Sequence, residues 1–108
     1  MSMSKINVGR DFSRYPVGRY RADGESNGEA FREDLLRPAL VKGSVQIFMD
    51  DAFGYGSSFL EEVFGGLIRT GYTLASLEPI LKIESSDDSL LEEIKGYMRD
   101  AEALKRKA

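Results

Sequence analysis

Val45-Gln46-Ile47-Phe48-Met49 is nearly continuous in apolar character, rich in β-branched and aromatic types, and bounded by Gly43 and by Asp50-Asp51. A short run of this kind reads as a sheet strand covered by other elements. It turns through Gly54 and Gly56 into a stretch where Leu60, Val63, Phe64, Leu67 and Ile68 recur at helical spacing, while Glu61, Glu62 and Arg69 can face water. That pattern predicts a helix over about 58–70. Gly65 and Gly66 lie inside it, and each weakens a helix interior by roughly 1 kcal/mol relative to alanine. Close packing of the helix on the sheet would recover that cost; a bend or hinge is the competing reading.

The remaining elements are read by the same rules. Ile6-Asn7-Val8 is a short strand candidate, and a second one around Arg19-Tyr20-Arg21 competes with an ordered loop. Ser26 stands three residues before Glu29, a capping-box spacing, and Phe31, Leu35, Leu36 and Leu40 follow at helical intervals. Pro38 implies a distorted last turn or an early stop. After Gly71, Ile80-Leu81-Lys82-Ile83-Glu84 reads as a strand. Ser89 and Glu92 repeat the capping-box spacing ahead of a stripe formed by Leu90, Leu91, Ile94, Tyr97, Met98, Ala101 and Leu104. Lys105-Arg106-Lys107 complements the dipole at that helix's end. Alternating strands and helices in 108 residues predict a single α/β domain spanning 1–108, a compact sandwich with a mixed β-sheet covered by amphipathic helices.

Missing residue types exclude whole chemistries. The chain has no cysteine, which removes disulfides, thiol catalysis and thiolate metal sites, and no histidine, which removes the usual base near neutral pH and the usual zinc ligands. No enzymatic activity and no cofactor are expected. Met1-Ser2-Met3-Ser4-Lys5 is not followed by a long apolar core, and no apolar run is long enough to cross a bilayer, so a cytoplasmic location and no membrane partner are expected. Residues 1–24 carry a net charge of +3 and residues 25–108 a net charge of -6. That asymmetry favours pairing between surfaces, or with a polar partner, over general DNA binding.

The chemically richest segment is the junction Gly56-Ser57-Ser58-Phe59-Leu60-Glu61. Ser58 and Glu61 form a third capping-box pattern, which predicts that Ser58 caps the helix while Glu61 bonds back to the cap amide. A phosphate on Ser58, or on Ser57 if Ser58 caps, would sit where helix N–H groups and the dipole favour negative charge. Glu61 and Glu62 would oppose it by like-charge repulsion. Tyr55, Phe59, Glu61 and Glu62 are the residues expected to meet a protein partner. Gly54-Tyr55-Gly56 lacks the dinucleotide-binding spacing, and no Walker Gly-Lys-Ser/Thr sequence occurs. Asp50-Asp51 at a strand end offers oxygen ligands for Mg²⁺, against a solvated turn. Arg10, Arg14, Arg19 and Arg21 interleave with Phe12, Tyr15 and Tyr20. Three uses stay open for that mixture: nucleic-acid binding, an interface for a protein or small anion, and a loop pinned by aromatic packing.

Across almost its whole length the chain resembles the bacterial STAS-like domains of the DUF4325 family. The resemblance rests on Asp11-Phe12-Ser13, Gly18-Arg19-Tyr20 with Asp23-Gly24, Phe31-Arg32-Glu33, Gly56-Ser57-Ser58-Phe59-Leu60-Glu61-Glu62 and Phe64-Gly65-Gly66-Leu67. It implies a single STAS-like domain related to anti-sigma-factor antagonists, which bind a serine-kinase-like ATPase that phosphorylates a serine at a strand-to-helix junction. Their Asp-Ser-Ser-Gly pattern is similar to Gly56-Ser57-Ser58-Phe59, so Ser58 is the counterpart of the phosphoacceptor, with Gly56 and Phe59 as departures. The resulting expectation is a regulatory or adaptor module with a protein partner, a histidine-kinase-type ATPase by resemblance. The alternative is a nucleotide or anionic-ligand sensor in which Arg19, Arg21 and the helix N-terminus converge on one pocket.

Overall fold

Three strands, β1 (Met3–Asn7), β2 (Ser44–Phe48) and β3 (Leu81–Glu84), lie side by side in that order and run parallel. The structure, a computed structural model, describes residues 3–107. A parallel neighbour can be reached only by a crossover, and here each crossover is helical. Helix α1 (residues 28–42) joins β1 to β2, helix α2 (residues 57–69) and the short α3 (Leu74–Leu77) join β2 to β3, and α4 (Asp88–Lys107) follows β3. The α/β fold agrees with expectation. The mixed sheet does not: among the described residues every strand pairing is parallel, because a helix separates each consecutive pair and no hairpin forms.

Register decides which side chains meet the helices. Ile6, Ile47 and Ile83 are aligned across the sheet, as are Ser4, Val45 and Leu81, and this face supports the core. Val45 and Ile47 are fully buried beneath Phe31, Leu36, Phe64, Leu67 and Ile94. The opposite face carries Lys5, Asn7, Gln46, Phe48, Lys82 and Glu84, none of them buried. On that face Gln46 donates to Glu84 at 2.8 Å, and the Lys82 ammonium lies 3.4 Å from the Glu84 carboxylate.

Both long crossover helices depart from α geometry in mid-course. The N–H of Arg37 bonds the carbonyl of Arg32, and the N–H of Gly66 bonds that of Glu61, each spanning five residues. These wide turns cover Phe31–Leu36 and Glu61–Gly65 and pack against each other. Wide turns of this type are uncommon and concentrate at functional sites. The first ends just before Pro38, and the helix continues to Lys42 instead of stopping.

Local boundaries shift for identifiable reasons. Val8 leaves the strand and opens a single wide helical turn, Val8–Phe12, whose start is held by the Asn7 side chain accepting from the Arg10 N–H at 3.0 Å. Residues 19–21 form no strand; Arg21–Asp23 is one tight helical turn in a strap of chain. Asn27, not Ser26, caps α1 by accepting from the Ala30 N–H at 2.7 Å, while Ser26 pairs with Ser13 at 2.9 Å. Asp87, not Ser89, caps α4 by accepting from the Leu90 N–H at 3.1 Å. Helix α3 has no counterpart in the sequence reading.

Candidate functional site

Residues 13–27 form a strap that runs between the start of α1 and the loop before α2. Its backbone is tied on both sides. Arg14 and Pro16 carbonyls accept from the Phe53 and Gly56 N–H groups at 2.8 and 3.0 Å. Gly18 and Arg19 carbonyls accept from Gly28 and Glu29 at 3.0 Å each, which satisfies the first amides of α1. Of the three uses open for the arginine-rich segment, these backbone ties serve the structural one, while its exposed side chains leave the interface open.

The start of α2 is different. Gly56 is the cap residue and supplies no side-chain bond; Ser57 and Ser58 are the first two helical residues, and both are exposed. The Ser58–Glu61 capping box therefore does not form. Glu61 is drawn away by two cations, Arg19 at 2.5 Å and Arg69 at 2.6 Å. A shallow groove of about 560 Å³ lies at this helix end, lined by Val17, Arg19, Tyr20, Asp23, Ser57 and Ser58 among others.

Behind the groove lies a seam of alternating charge. Glu62 accepts from Arg19 at 3.0 Å and from Arg32 at 2.7 Å; Arg32 also donates to the Glu62 carbonyl at 2.7 Å and to Glu33 at 2.8 Å. Arg37 joins through Glu33 at 3.0 Å and also donates to the Thr70 hydroxyl. Arg32 and Glu62 are both 6% exposed, so a cation and an anion stand inside the helix layer. Space for them comes from glycines: a Cβ on Gly66 would strike the Arg32 guanidinium, and one on Gly28 would meet the Phe59 carbonyl at 2.7 Å. The expected role of the glycine pair in helix–sheet contact is thus corrected, since Gly66 admits an arginine from the neighbouring helix.

The seam's ionisation follows from these contacts. Hydrogen bonding to Glu61 holds the Arg19 guanidinium above its usual value against the opposing effect of burial. Burial alone would push Glu61 up, but bonds from Arg69 and Arg19 outweigh it and leave the carboxyl below the usual range. Burial also works against the Arg32 cation, and bonds to Glu33 and Glu62 reverse the balance. Glu33 is held low chiefly by Arg32.

Several expected site residues are placed elsewhere than on a partner-facing surface. Phe59 is 1% exposed and packs among Phe12, Phe31 and Tyr55, with ring centroids 5.9–6.1 Å away, because the first turn of α2 points it into the core. Glu62 is enclosed in the charge seam. Tyr55 is partly buried and donates to the Met49 carbonyl at 2.7 Å; burial, with Asp50 and Asp51 nearby, pushes its phenol well up. Glu61 keeps some exposure while neutralised on both sides. Arg19 and Arg21 do not converge: Arg19 lines the groove but is paired, and Arg21 grips Asp34 with two bonds of 2.9 Å. Asp50 accepts from Ser85 at 2.8 Å and from the Ser86 N–H, and these bonds hold its carboxyl below the usual range. Asp51 accepts from Asn7 at 2.6 Å. Among the described residues no group of three or more His, Cys, Asp or Glu side chains is placed to hold a metal ion, and no helix is long and apolar enough to cross a membrane.

At this end one residue escaped the sequence reading, and one surface was read only as an open alternative. Arg32 is the central cation of the seam; its signal was the four-residue spacing Gly28-Arg32-Leu36, which places it on a buried stripe. The surface is a set of exposed apolar side chains on the strap and the loop before α2, and its Tyr15 and Tyr20 belong to the segment for which a protein interface stood open. Tyr15, Val17, Tyr20 and Phe53 are each more than half exposed, and the Tyr15 and Phe53 rings lie 5.2 Å apart.

The family model of the STAS-like domain of unknown function (DUF4325) matches residues 27–91, more than half of the chain, from the cap of α1 into the first turn of α4. The chain belongs to this family, and its three-stranded sheet flanked by helices is consistent with that architecture. Comparison with curated proteins and with solved structures found no match.

Proposed function

We propose that the protein is a non-enzymatic cytoplasmic regulatory module that docks a protein partner on the surface around the start of α2, with Ser58 as a phosphoacceptor that weakens docking. The observation that carries this reading is the concentration of exposed apolar side chains at that one end. Val17 and Tyr20 line the groove with the exposed Ser57 and Ser58, and the exposed Tyr15 and Phe53 rings pack together on the same strap and the loop before α2, whereas the body of α2 is buried. Exposed, mutually packed aromatics are the residue type that dominates protein interfaces.

A phosphate on Ser58 would add close to two negative charges beside this patch. The free amides of α2 and the nearby Arg19 attract it, while Asp23 across the groove and Glu61 one turn on repel it. The likeness to anti-sigma-factor antagonists supplies the partner class, a serine-kinase ATPase of the histidine-kinase type. An anion sensor built on Arg19 and Arg21 has less support, since each arginine already holds a carboxylate.

Incubation with such an ATPase and ATP, followed by intact-mass analysis, should add one phosphate that persists in Ser57→Ala and disappears in Ser58→Ala. Tyr15→Ala/Phe53→Ala should weaken partner binding about tenfold or more without lowering the melting temperature. No mass gain, combined with normal regulation by Ser58→Ala, would remove the switch; partner binding unaffected by the aromatic double variant would remove the docking surface.

A further inference from the structure

The free edge of β3 has a groove beside it. Leu81 and Ile83 face the helix layer but are only partly buried, because among the described residues no fourth strand stands beyond them. Together with Leu77, Leu91 and Met98 they line an apolar groove of about 420 Å³ between α3, α4 and the strand. The backbone of that edge is also open. Val45 N–H bonds the Ile80 carbonyl and Met49 N–H bonds that of Glu84, so the even-numbered residues of β3 pair with β2. The N–H and C=O groups of Leu81 and Ile83 therefore point outward, and an unpaired edge with an apolar flank is a template for another strand.

The charges of the strand select what that other strand is. Lys82 and Glu84 lie on one face, two residues apart. Two copies of β3 can pair antiparallel about a two-fold axis in only a few registers. An axis at Lys82 sets lysine against lysine, and an axis at Glu84 sets glutamate against glutamate. An axis at Leu81 places Lys82 opposite Ile80. With the axis at Ile83, the outward groups of Ile83 exchange two hydrogen bonds with those of its own copy, and Lys82 of each chain stands opposite Glu84 of the other. The Lys82–Glu84 positions then form the non-hydrogen-bonded pair, the type in which side chains come closest.

We infer that β3 is a homodimerisation edge, at which two copies join antiparallel about Ile83 into one six-stranded sheet, with paired Lys82–Glu84 contacts on the open face and the two apolar grooves merged on the helix face. Such an interface is isologous and closes at two copies. It lies on β3 and α4, separate from the aromatic patch at the start of α2, and does not depend on the reading of that patch.

The full chain examined by sedimentation equilibrium should show a concentration-dependent species of twice the 12.1 kDa chain mass. Lys82→Glu and Glu84→Lys, taken singly, each set like charges against each other at both contacts and should weaken the dimer about tenfold or more. The double exchange Lys82→Glu/Glu84→Lys restores opposite charges and should restore dimerisation. Far-ultraviolet circular dichroism confirms folding of each variant. A chain that stays monomeric up to near-millimolar concentration would overturn the proposal. So would single and double variants that dimerise alike, or growth past the dimer, which would mean head-to-tail pairing of β1 with β3.

Discussion

Helix α2 is flanked by two helices, and it meets them by opposite means. Toward α1 it presents Glu62 and Gly66, and the contact is a seam of arginines and carboxylates with Arg32 and Glu62 enclosed. Toward α4 it meets Ile94, Met98 and Ala101 in an apolar layer. An apolar layer stabilises in proportion to area and tolerates small slips. A buried ion pair adds little net stability, but it penalises any arrangement that separates its partners. The contrast suggests that α4 contributes bulk stability, while the seam fixes where α1, and with it the strap beside Ser57 and Ser58, must lie.

The sharpest way to break this contrast is to remove one member of each flank. Arg32→Ala removes the enclosed partner of Glu62, which keeps Arg19 at 3.0 Å, and should cost about 3 kcal/mol in urea unfolding. Ile94→Ala leaves a cavity and should cost about 2–5 kcal/mol. The two differ in how they are rescued. Arg32→Met/Glu62→Leu should recover most of the loss, since the whole ionic pair is replaced by apolar volume; a double variant as unstable as Arg32→Ala would show that the seam itself carries the stability.

A smaller effect distinguishes two glycines. Gly96 lies in α4 with open space where a Cβ would go, so Gly96→Ala should stabilise by about 0.5–1 kcal/mol. Gly66→Ala gains the same helix propensity but displaces the Arg32 guanidinium, so its net effect should be a loss of about 1 kcal/mol. In an Arg32→Ala background that loss should vanish, and coupling of this kind is read directly from a double-mutant cycle. Equal gains at the two glycines would contradict the seam's tight geometry.

Acid should act on the ionic flank, with a modest effect. Glu33 and Glu61 are held below their ordinary value of 4.5 in the folded protein. A depressed carboxyl contributes stability that is complete above its unfolded value and is lost as pH falls through the folded one. Melting temperature should therefore decline on acidification below about 4.5, and decline less in Glu61→Gln/Arg69→Gln. Identical profiles for the two proteins would assign the acid sensitivity to groups other than Glu61.

Sequence periodicity revealed the frame better than it revealed the site. Strand β2, helix α2 and helix α4 were legible because their apolar residues recur at diagnostic spacing. The caps were not: three Ser-x-x-Glu patterns suggested boxes, and the structure uses Asn27, Gly56 and Asp87 instead. A four-residue pattern recurs by chance, and the acids it relied on include Glu61, which has stronger partners across the fold. Phe59 and Glu62 were misplaced for a related reason. At the first turns of a helix, the phase that decides burial depends on how the neighbouring helix crosses, and that crossing was set by Arg32 and Gly28. Exposed Phe53 gave no local signal and Tyr15 stood only among open alternatives, because aromatics in a loop read equally well as packing.

The wide turns in α1 and α2 also explain a numerical oddity of the chain. In α1 the buried residues Gly28, Arg32, Leu36 and Leu40 repeat every four positions, and in α2 so do Phe59, Val63 and Leu67, shadowed by Leu60, Phe64 and Ile68. In a regular helix a four-residue step overshoots a full turn by about 40°, so such a stripe would wind away from the core. A turn bonded five residues back takes up the surplus and returns the stripe to phase. Each wide turn is thus a place where the fold absorbs one residue of length, and a relative one residue shorter at either point can keep the same face inward with an ordinary helix.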